Sequence, residues 1–316
     1  MAQNTITEHL GDGMPPVRED NEYEDDSEPE VEQWKAPTHP IASMQGPFEE
    51  SIVESEQLNP NAQAHAVPKL TAKARHERLL SNKNYNDSYT AQWRSNPTAK
   101  WHPLSKILAQ IAFGVHLLHQ QLAKSDEEVV SILQRHVDEV DNFIQNTGDD
   151  FDSALTDIRE RINYLKLPLE HVKIFDIMLD DKQFRSQIVE GNEKIEQIVS
   201  RTAALMNDLL TDVTKGLDAT TEMADYLDKV TDSWPREENS LSIFDTMQAN
   251  AEGWIDCFQT LQMKGNSLGV ALVQLGSILN EMSKRAGLAS RRKVVSREIL
   301  SSSHSGTFFA TSKSHR

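Results

Sequence analysis

From Phe244 onward the apolar residues fall at Phe244, Met247, Ala251, Trp254, Phe258, Leu261, Gly265, Leu268, Leu272, Leu275, Leu279, Met282 and Ala286. The steps alternate three and four without a slip. A strand would need period two, so this stretch predicts a helix with one narrow apolar stripe. Forty-three residues at 1.5 Å each make a rod of roughly 65 Å. A stripe that long must be covered by other long helices, and its average step of 3.5 implies left-handed supercoiling.

Two further stripes can supply the cover. Val130, Val137, Ile144, Phe151, Ile158 and Leu165 recur at a strict step of seven, with Leu133, Val140 and Ala154 between them. The phase crosses Asn146-Thr147-Gly148-Asp149 unchanged, so one helix is predicted from about Ser125 to Leu167. Ser125 and Glu128 form its capping box and Pro168 sets its end. The third stripe runs through Phe184, Ile188, Ile195, Ile198, Leu205 and Leu209 to Met223 and Val230. It is interrupted by glycines and Asp212, and Val213, Thr220 and Leu227 lie beside it as a second choice of seam. That helix should start near Asp180 or Asp181 and stop before Trp234-Pro235. Leu104, Leu108, Ile111, Val115, Leu118 and Leu122 form a shorter stripe upstream, and a short helix is expected between Pro168 and Leu179. The link from Ser233 to Asn239 is short, so the last two long helices should be antiparallel neighbours.

The fold class expected is therefore all-α: an elongated antiparallel bundle of three long heptad-bearing helices plus a shorter N-terminal helix, with disordered termini. Charge divides the chain in the same way. Residues 1–66 carry 15 acidic groups against Arg18 and Lys35, and read as an acidic disordered tail. Residues 67–102 are basic and read as a mostly irregular linker, with one short helix in LTAKARHERLLSN. Residues 103–287 are the bundle, and 288–316 a basic, Ser-rich tail. Over 124–287 there are 31 acidic and 16 basic side chains. That balance disfavours direct nucleic-acid binding and repels anionic lipid.

Chemistry-bearing patterns are few. His116 and His119 are three apart on an apolar helix, but a metal needs three or four ligands and no acid lies one turn away. Cys257 sits beside Phe258 without a basic neighbour and reads as a partly buried apolar group. Asp149, Asp150 and Asp152 lack the glycine and terminal glutamate of a calcium loop. Gly265 and Gly269 form a GxxxG spacing, which in a helix of this kind signals close packing. No catalytic, cofactor or metal set is expected. Arg291-Arg292-Lys293 is the compact basic cluster. It reads equally as a docking patch for lipid headgroups or nuclear import and as cations complementing a helix C-terminus.

The layout is similar to spectrin-like and BAR-like helical domains, at the level of long heptad-bearing helices and no further. The function expected of such a chain is that of a non-catalytic, cytoplasmic or nuclear scaffold or adaptor. Its partners would be other proteins met by helix–helix packing, or a second copy of the chain. The interaction stripe would be Phe244, Met247, Trp254, Phe258, Leu261, Leu268, Leu272, Leu275 and Leu279, and the basic patch Arg291, Arg292 and Lys293. A BAR-like membrane-surface protein is the alternative.

Overall fold

The computed structural model describes residues 36–57, 70–88 and 98–304, with side chains as far as 295. Seven α-helices and no strand occur among the described residues: α1 (Gln45–Gln57), α2 (Ala72–Ser81), α3 (Pro103–His119), α4 (Asp126–Glu170), α5 (Val172–Met178), α6 (Lys182–Val230) and α7 (Glu238–His304). The all-α bundle is thus observed. α4, α6 and α7 are its long members, with 45, 49 and 67 residues.

Local chemistry sets the helix starts. The Ser125 hydroxyl accepts from Glu128 N–H, and the Asp181 carboxylate accepts from Phe184 N–H. Each satisfies one donor that the first turn leaves open. His102 does the same for α3, its Nδ1 accepting from Leu104 N–H, with Pro103 at the first helical position. Between α3 and α4 the chain reverses through Gln121, which adopts a left-handed φ of 54°.

Direction follows from pairs along the helices. Asp141 meets Trp254 and Asp152 meets Lys264, so α4 and α7 run parallel, and Asp176 of α5 meets Arg285 further along. Gly216 faces Phe258 and Gly265 faces Leu210, while Asn192 bonds Ser283, so α6 and α7 are antiparallel, as their short link requires. His102 reaches Asp212 and His116 reaches Tyr226, so α3 runs parallel to α6. α7 thus lies between α4 and α6 on one side of the bundle. α3 closes the other side over the upper half, and α2 closes it lower down, where Arg75 meets α4 and Arg201 of α6 bonds the carbonyls ending α2.

Several boundaries differ from the sequence expectation. Residues 37–57 belong to the folded body: Met44 and Phe48 are buried against α3. The tail proposed for 1–66 therefore does not include them, and the rest of that stretch, 1–35 and 58–66, lies outside the described residues. The 67–102 segment contributes α2 to the bundle, with the rest of the linker in 67–69 and 89–97 outside the described residues. α4 continues through Pro168 to Glu170. The bond lost there is to the Tyr164 carbonyl, on a side of the helix open to water, which can take its place. α7 extends to His304, so the first part of the basic tail is helical. Residues 305–316 lie outside the described ones.

Candidate functional site

The predicted interaction stripe is the core of the bundle. Phe244, Met247, Trp254, Phe258, Leu261, Leu268, Leu272, Leu275 and Leu279 are all buried, facing α4 and α6. Phe258 fills the space that Gly216 leaves on α6: a Cβ there would lie 2.4 Å from its ring. Gly265 admits Leu210 and Phe151 in the same way, whereas a Cβ at Gly269 would make ordinary contact with Met206 at 3.5 Å, so close packing explains the first glycine of the GxxxG spacing and not the second. The stripe is thus closed within one chain, at roughly 1.5–3 kcal/mol for each large side chain buried. α6 uses both candidate seams, because it is covered on two sides. Leu205 and Leu209 belong to one, and Val213, Thr220 and Leu227 to the other; all five are buried.

Opposite α7, between α3, α4 and α6, polar groups enter the interior beside apolar ones. A cavity of about 310 Å³ is lined by Leu104, Ile107, Phe143, Thr147, Asp150 and Asp212, among others. Arg75 Nε donates to Asp150 Oδ1 at 2.8 Å. Burial pushes the Asp150 carboxyl up to about 6, against the opposing pull of Arg75. His102 uses Nδ1 as an acceptor, so its Nε2 carries the proton and faces Asp212 Oδ1 at 2.9 Å. Asp157 behaves oppositely to Asp150. Burial acts upward on it, but His76 and Arg161 outweigh that and hold it at about 2. His76 Nε2 lies 3.5 Å from Asp157, within ion-pair range and at the limit of a hydrogen bond. These pairs tie the short helices α2 and α3 to the long α4 and α6.

The two histidines of α3 are each engaged elsewhere. Burial pushes His116 downward in pKa, with His119 and His39 adding to the effect, so its ring is neutral at pH 7. Burial also lifts the Tyr226 phenol to about 12, so the Tyr226 O–H donates to His116 Nδ1 at 2.9 Å. His119 bonds Ser233 and stacks on Trp234, closing the turn between α6 and α7. His39, before α1, bonds the carbonyl of Ala109 through Nε2. Lys106, also on α3, reaches Glu50 at 2.8 Å and Glu54 at 2.7 Å on α1. Among the described residues no three His, Cys, Asp or Glu side chains gather as a metal site.

Cys257 is exposed, which corrects the expectation of partial burial. It follows Asp256 and precedes the fully buried Phe258, and one helical step of about 100° turns it outward. Arg291 and Lys293 are exposed on α7 beyond the level of its last ion pair to α5. Arg292 and Lys293 line an open groove of about 1160 Å³, across from Lys182 and Arg185 at the start of α6. The groove brings together the predicted basic patch and two cations that sequence reasoning had not joined to it.

Sequence reasoning missed a second exposed feature at the same end. Tyr164 and Leu167 on α4, with Ile174, Ile177 and Met178 on α5, are large apolar side chains that face solvent. Tyr164, Leu167, Ile174 and Met178 keep a helical spacing of three, seven and four across the break at His171. Tyr164 and Leu167 lie just off the buried stripe of α4, and that offset was the available signal. No described helix is long and apolar enough to cross a membrane. Comparison with known proteins finds no matching family model, no matching curated protein and no matching solved structure.

Proposed function

We propose that this chain is a non-catalytic helical scaffold that presents rigid side surfaces to other proteins. The observation that carries the reading is the exposed apolar row of Tyr164, Leu167, Ile174, Ile177 and Met178 at the α4–α5 junction. Clustered large apolar side chains on a charged surface are what partner helices bind. Tyr164 and Leu167 sit on the long α4, and the short α5 that carries the other three is anchored by the buried Phe175, so the row is held in place before a partner arrives. The polar pairs of the interior are consistent with this role, since each is engaged in holding one helix to another.

The test is a cross-linked pull-down with the full chain, compared with a Leu167→Glu/Ile177→Glu double variant. Both sites are exposed, so the variant should keep its helical circular dichroism. The reading expects proteins held by the wild type and lost from the variant. Identical captures from both would overturn it.

A second reading, a BAR-like membrane-surface protein, draws on one observation. The apolar row and the basic groove of Lys182, Arg185, Arg292 and Lys293 lie at the same end of the bundle. Apolar and basic groups together suit an anionic interface, against the acidic balance of the remaining surface. Sedimentation with phosphatidylserine vesicles at low salt tests it. Absence of pelleting ends this reading and leaves the first.

A further inference from the structure

α7 carries a second row of residues, on the side away from its buried stripe. Met263, Asn266, Val270, Val273, Ser277 and Asn280 follow steps of three, four, three, four and three, and all six are solvent-facing or partly so. The three apolar members are open to solvent at 62 % for Met263, 70 % for Val270 and 76 % for Val273. This is a heptad face on the outside of a helix whose inside is already satisfied. Next to it, Met206, Leu210, Gly265 and Gly269 form the floor of an apolar groove of about 440 Å³, between α6 and α7.

Charge sets this face apart. Residues 265–280 contain no ionisable side chain, and among residues 258–280 the lone charge is Lys264, which is bonded to Asp152 of α4. Elsewhere the bundle is acidic, with 31 acidic against 16 basic groups over 124–287. A solvent-facing row that is half apolar and uncharged departs from the charged outer face usual for a helix packed on one side only.

We infer that this outer face of α7 pairs with the same face of a second copy of the chain. Three arguments select a copy over an unlike partner. Two identical acidic bundles repel wherever their charged surfaces meet, and this face lets them approach without juxtaposing like charges. It carries no charge pattern with which to choose a different protein, and a two-fold pair needs none. Its polar members, Asn266, Ser277 and Asn280, hold both donors and acceptors, so each can bond its own symmetry equivalent or one another. Gly276, at the edge of the row, would have nothing within 4 Å of an added Cβ and leaves room for close approach. The α7 face alone spans about 25 Å by roughly 10–12 Å. That is less than the ~800 Å² per partner of a stable interface, so the groove wall at Met206 and Leu210 must be covered too. The inference is independent of the row at the α4–α5 junction, which lies on other helices.

Sedimentation velocity on the full chain from about 1 to 100 μM tests it, with Val270→Glu/Val273→Glu as the variant. A dimer is expected for the wild type, at least tenfold weaker in the variant, with unchanged circular dichroism. Raising salt from about 20 to 300 mM should strengthen wild-type pairing, because it screens the net repulsion. A second protein, Asn266→Cys/Ser277→Cys in a Cys257→Ser background, should cross-link under mild oxidation in either helix orientation. A wild type that stays monomeric at the highest concentration, a variant that dimerises equally well, pairing weakened by salt, or no cross-link would each overturn the inference. The Leu167→Glu/Ile177→Glu protein should still dimerise.

Discussion

Arg75 of α2 and Asp150 of α4 form an ion pair at 2.8 Å, with side-chain exposures of 7 % and 10 %. Arg75 also donates to the carbonyls of Leu70 and Asn146, so its fork holds the start of α2 against the middle of α4. A pair this dry adds little net stability, but breaking it leaves a charge stranded. Arg75→Met should therefore push the Asp150 carboxyl above its value of about 6, so that it takes up a proton near pH 7, at a cost of about 1–2 kcal/mol through this group. Urea denaturation reads this, and the loss should shrink at pH 5, where Asp150 is largely protonated with or without the arginine.

Asp150 also gives the native chain a pH signature. Its carboxyl titrates at about 6 in the fold, above its ordinary value of 3.8. The folded state therefore binds this proton more tightly than the unfolded state does. Its contribution to stability is full below about 3.8 and is lost as pH rises through 6, a change on the order of 3 kcal/mol. His39 and His116 act in the opposite sense, since burial pushes both below 6.5 and stability is lost as they are forced to protonate. The difference between wild type and Asp150→Asn isolates the carboxylate. Between pH 4 and 7 the variant should gain stability relative to the wild type as pH rises, and a flat difference would show that Asp150 titrates normally.

What the sequence made legible depends on which interactions repeat. The stripe from Phe244 to Ala286 repeats for six heptads, so its helix, its buried face and its antiparallel partner could all be read directly. The phase across Asn146 to Asp149 was informative for the same reason, and α4 crosses those residues unbroken. α1 is too short for a period to show, and α2, expected as a short helix in LTAKARHERLLSN, is too short to show what it packs on. Besides the buried Met44, Phe48 and Leu79, what seats them is long-range pairs, Arg75 to Asp150 and Lys106 to Glu50, whose partners lie 75 and 56 residues apart. A segment rich in charge reads as a solvated tail or linker unless its partner is known. The outer row from Met263 to Asn280 was visible in principle, since its last sixteen residues, 265–280, carry no charge, but the inner stripe of the same helix accounted for its apolar content.

Phe48 tests the reassignment of residues 37–57 from tail to core. Its ring lies 4.3 Å from that of Phe113 of α3, centroid to centroid, and it is 4 % exposed. Replacing a buried phenylalanine with alanine costs about 3–5 kcal/mol. Phe48→Ala should lower the unfolding midpoint by a corresponding amount in chemical denaturation. A change within about 0.5 kcal/mol, the range of surface substitutions, would place this segment outside the cooperative fold.

The glycines of the long helices should divide by what stands opposite them. Glycine in a helix interior costs about 1 kcal/mol relative to alanine, so each persists either for space or for no packing reason. At Gly216 an added Cβ would sit 2.4 Å from Phe258, a ring locked in the core that cannot swing away. Gly216→Ala should therefore lose about 1–3 kcal/mol through overpacking, less the gain in helix propensity. At Gly253 of α7 and Gly191 of α6 nothing lies within 4 Å. Gly253→Ala and Gly191→Ala should each gain up to about 1 kcal/mol, because the unfolded chain loses freedom and no neighbour is displaced. Thermal unfolding of the three variants side by side checks the division: one midpoint should fall and two should rise. A rise for Gly216→Ala would mean that α6 and α7 lie further apart at that level than the Phe258 contact requires.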